Sequence, residues 1–229
     1  MSDHPAPEAV IFDLDGVLID SEQRWNGAKE ELVREAGGRW RDDAPTVMMG
    51  MSSPEWSAYL HDELGVPMDA DAISREVVRR MLEGYKRDLP LLPGASEAVH
   101  ALAARWPLGL ASSSNREVID LVLELADFGD AFRVAVSSEE VDRGKPAPDV
   151  YLVVAERLGV EPKRCVAIED SSNGLRAAAS AGMAVIAVPN AHYPPEDDAL
   201  SLASARVATV GAVTPELVAE VVRSEMSRM

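Results

Sequence analysis

Short apolar runs rich in β-branched residues alternate with longer helical patterns along most of the chain, and this rhythm restricts the fold more than any other feature. Ala9–Asp13, Leu108–Ser112, Arg133–Val136, Cys165–Glu169 and Met183–Val188 read as buried strands. Between them Ala95–Arg105, Glu117–Ala126, Asp149–Leu158 and Gly174–Ala181 read as helices. A last strand near Arg206–Val210 and a helix from Pro215 close the series. Strands separated by helices of this length require crossover connections, so the expected class is α/β, a doubly wound parallel sheet. Residues 20–90 break the rhythm. They contain helical patterns only, at Glu22–Glu35, Pro54–Leu64 and Ala70–Arg87, and predict a small all-helical unit inserted after the first strand. The expected organisation is a sheet unit from 1–19 and 91–229 with a helical unit at 20–90.

Charge narrows the range of partners. The 229 residues carry a formal charge of −17, spread evenly between the insert and the rest, which reads as a solvated surface. An excess of acid disfavours nucleic acid, whose affinity rests on Lys and Arg. The longest apolar stretches, such as Ala181–Val188, fall far short of the roughly 18 residues that a membrane span needs. The first basic residue is Arg24, so no positive flank of a signal peptide is present, and a cytoplasmic protein is expected. The one cysteine, Cys165, excludes an internal disulfide framework and reads as buried packing. Monomer and homodimer both fit.

In an open α/β sheet, ligands collect beyond the carboxyl ends of the strands. The first strand ends in Asp13-Leu14-Asp15-Gly16, two carboxylates that repel unless a cation joins them. The next ends in Ser112-Ser113-Ser114-Asn115 before a helix, where hydroxyls and helix-start amides can seat a phosphate or simply cap the helix. Gly144-Lys145-Pro146 holds a lysine in a stiff turn, and Glu169-Asp170-Ser171 again places adjacent acids at a strand end. Each motif alone is an ordinary turn or cap. Together on one rim they combine oxygen ligands suited to Mg2+ with a lysine and hydroxyls suited to a phosphate. A carboxylate can also attack phosphorus, so the set points to Mg2+-assisted phosphoryl transfer.

With these residues in order, the chain resembles the haloacid dehalogenase-like superfamily, in its phosphatase and sugar-phosphate mutase branch. The resemblance runs through Asp13–Ser21, Leu110-Ala111-Ser112, Gly144–Asp149 and Ile168–Ser171, and covers essentially the whole chain. It implies a Rossmann-like core with residues 20–90 as a helical cap. It implies that Asp13 is the nucleophile, that Asp15 protonates the leaving oxygen and then activates water, and that Ser112 and Lys145 bind the phosphoryl group. Ser113, Ser114 and Asn115 would line the phosphate site. Mg2+ would be held by Asp13, Asp170 and the backbone carbonyl of Asp15, with Glu169 binding directly or through water. Haloacid dehalogenases proper lack the counterpart of Asp15, so dehalogenation is not expected.

The expected reaction is hydrolysis of a small phosphorylated, sugar-like metabolite. The alternative is a mutase. The resembling mutases carry a histidine where this chain has Trp25, and basic residues on a cap loop that here reads Met48-Met49-Gly50-Met51-Ser52-Ser53-Pro54. Both departures favour the phosphatase. A catalytically silent binding module is a further alternative, opposed by the retention of every charged motif residue. Trp40 and Trp56 read as packing of the small insert, whereas Trp25 and the methionine loop fit equally well a wall over the leaving group. His4, His61, His100 and His192 fall outside the motifs and carry no ligand role.

Overall fold

The computed structural model describes residues 6–48, 51–190 and 193–226; His4, Met49 and His192 lie outside them. Six parallel strands form one sheet in the order β3-β2-β1-β4-β5-β6. They are β1 (Ala9–Phe12), β2 (Leu108–Ser112), β3 (Phe132–Ser137), β4 (Cys165–Glu169), β5 (Ala184–Ala187) and β6 (Ala205–Arg206). The order reverses direction at β1, so the loops leaving β1 and β4 diverge above the middle of the sheet and open a crevice there. Alternate strand residues face opposite sides. Val10 and Phe12 pack on one face with α5 (Ala95–Ala103), α6 (Arg116–Leu125) and α10 (Pro215–Met226). Ala9 and Ile11 pack on the other with α7 (Asp149–Leu158) and α8 (Ser172–Ser180).

Between β1 and α5 the described chain is helical, as the sequence pattern predicts: α1 (Glu22–Glu35), α2 (Ala44–Val47), α3 (Ser53–Asp62) and α4 (Ala70–Arg87). Leu32, Val33, Leu60, Leu64, Ile73, Val77 and Met81 are buried among these helices, in a cluster continuous with the Val10 and Phe12 face of the sheet. The capping box of Ser52 and Glu55 starts α3, and the Asp69 carboxylate accepts from the Ala72 amide to start α4. Entry and exit meet at one place. The Asp20 amide donates to the Pro90 carbonyl at 2.8 Å, the Leu92 amide to the Leu18 carbonyl at 2.9 Å, and Ile19 forms an antiparallel bridge with Leu91.

A few elements depart from the sequence reading. The last strand covers Ala205–Arg206 rather than Arg206–Val210. The chain leaves the sheet edge so that Val210 and Val213 can bury, while Gly211 packs against Gly94 at the start of α5. The short α2 and α9 (Asp197–Leu200) have only one turn each, too little for a periodic pattern. No helix among the described residues is long and apolar enough to cross a membrane. Cys165 is buried inside β4, and burial pushes its thiol up to about 12, as a packing role requires. His61 Nδ1 lies 3.0 Å from the Val66 carbonyl, and His100 packs edge-on to Phe128.

Candidate active site

The carboxyl ends of β1, β2 and β4, with the turn after β3 that holds Lys145, bring four sequence motifs to one rim. Asp13, one residue past β1, is fixed by its amide, which donates to the Ile168 carbonyl of β4 at 3.0 Å. Its Oδ1 accepts from Lys145 Nζ at 2.6 Å, while its Oδ2 has no hydrogen bond among the described residues. Lys145 is saturated: it also donates to Glu169 Oε1 at 2.7 Å and to the Ala111 carbonyl at 3.0 Å. Burial would strip its proton, but Asp13 and Glu169 hold it charged by raising its affinity above the ordinary value.

Asp13, Glu169 and Asp170 are all buried and can present one oxygen each within 4.8 Å of one another. Burial raises the Asp13 carboxyl to about 8; Lys145 opposes this, and Glu169 and Asp15 reinforce it. Burial, then the charges of Glu169 and Asp13, raise Asp170 far above the carboxylate range. One ammonium does not balance three buried acids. A hard dication fits both the donor set and the excess charge. The backbone leaves space for two of these carboxylates: a Cβ on Gly16 (φ +79°) would stand 1.9 Å from Asp170 Oδ2, and one on Gly174 would stand 1.9 Å from Glu169 Oε1. Both glycines therefore keep carboxylates in place rather than merely turning the chain.

Glu169 is fully buried with both oxygens engaged. Oε1 accepts from Lys145 and from Tyr151 Oη at 2.7 Å, and Oε2 from the Asp170 amide at 3.0 Å and the Ser171 amide at 3.3 Å. Asp15 stands apart from the three-acid cluster. Its Oδ2 accepts from Ser114 Oγ at 2.7 Å and Ser112 Oγ at 3.3 Å, and its Oδ1 from the Trp25 indole at 3.4 Å. Ser113 lines the cleft, while Asn115 lines the space beneath the insert with its side chain engaged: its amide donates to Glu139 Oε1 at 2.6 Å, and its oxygen accepts from Ser53 Oγ at 3.3 Å. Glu139 also takes the Arg116 amide at 3.0 Å, so part of the α6 start is occupied by a carboxylate instead of standing open to phosphate.

The cleft above Asp13 continues into a chamber beneath the insert, with Asp15, Glu22, Met51 and Ser113 lining both. Trp56 serves both readings: it is buried in the helical insert and its ring faces this chamber beside Trp25. Trp40 packs against the core as expected. Sequence reasoning missed Tyr151, which reads as one more apolar position of α7, and Lys29, which reads as a solvated lysine of α1. Lys29 is 7% exposed and lines the chamber.

Known proteins resemble this chain. The haloacid dehalogenase-like hydrolase family matches residues 7–182. The chain belongs to that family. Hexitol phosphatase B of Escherichia coli is 37% identical over 187 residues, covering 79% of this chain and 83% of that protein. A probable pseudouridine-5'-phosphatase of Drosophila melanogaster is 34% identical, covering 79% of this chain and 80% of its own length. The crystal structure of a β-phosphoglucomutase from Clostridium difficile superposes with a TM-score of 0.81 at 25% identity, covering 97% of this chain and all of that one. These likenesses put the chain in the phosphatase and phosphoglucomutase branch of the haloacid dehalogenase-like hydrolases, as an enzyme of the phosphatase kind.

Proposed function

We propose that this haloacid dehalogenase-like hydrolase is a Mg2+-dependent phosphatase that cleaves a small, sugar-like phosphate ester through an aspartyl-phosphate on Asp13. The observation that carries the reading is the pair of differently placed aspartates: Asp13 tied through one oxygen to Lys145 with the other unbonded, and Asp15 outside the cluster, held by Ser112, Ser114 and Trp25. Asp13 attacks phosphorus, the bond from phosphorus to the ester oxygen breaks, and Asp15 delivers a proton to the departing oxygen. Asp15 then takes a proton from the water that opens the aspartyl-phosphate, which releases phosphate and restores both carboxyl groups. Lys145 keeps Asp13 oriented and balances charge gathering on the phosphoryl oxygens, with Ser112 and Ser113 at their side.

Asp13, Asp170 and the Asp15 backbone carbonyl would hold Mg2+, with Glu169 acting through water because its oxygens already accept hydrogen bonds. When bound, Mg2+ would neutralise the buried acids and the phosphoryl oxygens. Residues 20–90 serve as a cap over the leaving group. The substrate is a free small molecule met in the cytoplasm, not a nucleic acid or a membrane lipid, and the enzyme works as a monomer or homodimer.

The β-phosphoglucomutase likeness supports a mutase as the second reading. Trp25 opposes it, because the indole bonded to Asp15 stands where the resembling mutases carry histidine. Hydrolysis of p-nitrophenyl phosphate with Mg2+ tests the proposal, repeated with excess chelator and with Asp13→Asn. Chelation should abolish turnover, and Asp13→Asn should lower it by about 1,000-fold or more. Turnover that survives either treatment overturns the mechanism. Interconversion of hexose phosphates without net phosphate release, primed by a bisphosphate, would establish the mutase instead.

A further inference from the structure

Lys29 is a buried ammonium that the mechanism above does not use. Its Nζ lies over two indoles, 4.8 Å from the Trp56 ring centroid and 5.7 Å from that of Trp25. Among the described residues it has no hydrogen bond or ion pair. Glu22, which lines the same chamber, acts on it only at longer range. Several other cations of the insert behave differently: Arg24, Arg34, Arg41, Arg79 and Arg80 each hold a carboxylate. An ammonium taken out of water needs acceptors, and two ring faces supply only part of what water gave it.

The chamber tells which acceptors fit. It adjoins Asp15, which protonates the departing oxygen, so it holds whatever the phosphoryl group leaves behind. Glu22 and Lys29 place an acceptor and a donor together on its wall, with no net charge between them. A hydroxyl group both donates and accepts, and neighbouring hydroxyls satisfy such a pair. A second anion would meet Lys29 but also Glu22 and Asp15. The indole faces suit the C–H faces of a polyol or sugar.

Resting on the phosphatase reading, we propose that Lys29 is the specificity-determining residue of this enzyme. It donates to a hydroxyl of the leaving group while Glu22 accepts from a neighbouring one, so the preferred substrates are phosphate esters with hydroxyls beyond the ester carbon.

The test compares kcat/KM for sorbitol phosphate, phosphoglycolate and p-nitrophenyl phosphate in the unmodified enzyme, Lys29→Met and Glu22→Gln, all with Mg2+. The unmodified enzyme should prefer sorbitol phosphate to phosphoglycolate. Lys29→Met should lower kcat/KM for sorbitol phosphate by roughly 10- to 100-fold, the worth of a charged hydrogen bond. For p-nitrophenyl phosphate, which offers no hydroxyl, the loss should stay below roughly 5-fold. Glu22→Gln should lower the same ratio and keeps the test open should Lys29→Met fold poorly. Equal losses on both esters, an unchanged ratio, or a preference for phosphoglycolate that Lys29→Met removes would each overturn the assignment. No release from p-nitrophenyl phosphate by the unmodified enzyme is a separate outcome: it defeats the phosphatase reading and this assignment with it.

Discussion

A lysine kept for its ligand should weaken the empty fold, and Lys29→Met measures by how much. Burial lowers the Lys29 ammonium from 10.5 to about 8, with Glu22 partly opposing. At neutral pH the folded state must carry that charge inside, a penalty of about 3 kcal/mol. Methionine keeps the unbranched stem and removes the charge. It also forfeits the contacts with the Trp25 and Trp56 rings, worth about 1–2 kcal/mol. The net expectation is a gain of about 1–2 kcal/mol, or about 2–8 °C in Tm for a chain of this size. The sign of the pH dependence follows from proton counts. Between about pH 8 and 10.5 the unfolded chain holds this proton and the folded chain sheds it, so the unmodified protein gains stability as pH rises through that window. Its deficit against Lys29→Met is therefore complete below about pH 8 and closes towards pH 10.5. Urea unfolding of both proteins without ligand, at about pH 7 and pH 10, reads this directly. A Lys29→Met protein less stable at pH 7, or a gap equal at both pH values, would refute the reasoning and make Lys29 an internally satisfied structural charge.

Lys145→Met leaves Asp13 and Glu169 buried without their shared ammonium, and should lower stability by about 3–5 kcal/mol in urea unfolding as well as removing turnover. Gly174→Ala drives a methyl group into the Glu169 carboxylate, a clash expected to cost about 1–3 kcal/mol and to depress p-nitrophenyl phosphate hydrolysis. Wild-type stability and turnover in this variant would show that Glu169 can move without consequence.

The sheet was legible because its central strands are short and apolar, and because polar residues appear where they stop. Asp13, Ser112 and Glu169 sit at or one residue past the ends of β1, β2 and β4. The insert announced itself by helical spacing without β-branched runs. What stayed hidden depends on neighbours distant in sequence. Nothing local to Tyr151 shows that its hydroxyl meets Glu169, because β4 and α7 come together only through the sheet. Lys29 lies on a helix otherwise rich in charge, and its burial arises from Trp56 on another helix. Asn115 looked like a cap or a phosphate ligand. Glu139, beyond β3, supplies the carboxylate that takes the helix-start amide and redirects Asn115. The Met48–Pro54 loop carries no basic residue, while the cation of that wall comes from α1.

The pairing of residues 18–20 with 90–92 has a consequence for how such a chain can vary. To the sheet, everything between is a loop whose ends are already fastened together by Asp20 with Pro90, Leu18 with Leu92 and Ile19 with Leu91. The entropy of closing a loop grows only slowly with its length, so the sheet is nearly indifferent to what the fastened ends carry. Helices could be lengthened, replaced or exchanged wholesale above this fastening while the acids and Lys145 below keep their places. The chemistry and the choice of leaving group can thus be inherited separately, with three residues on each side as the seam.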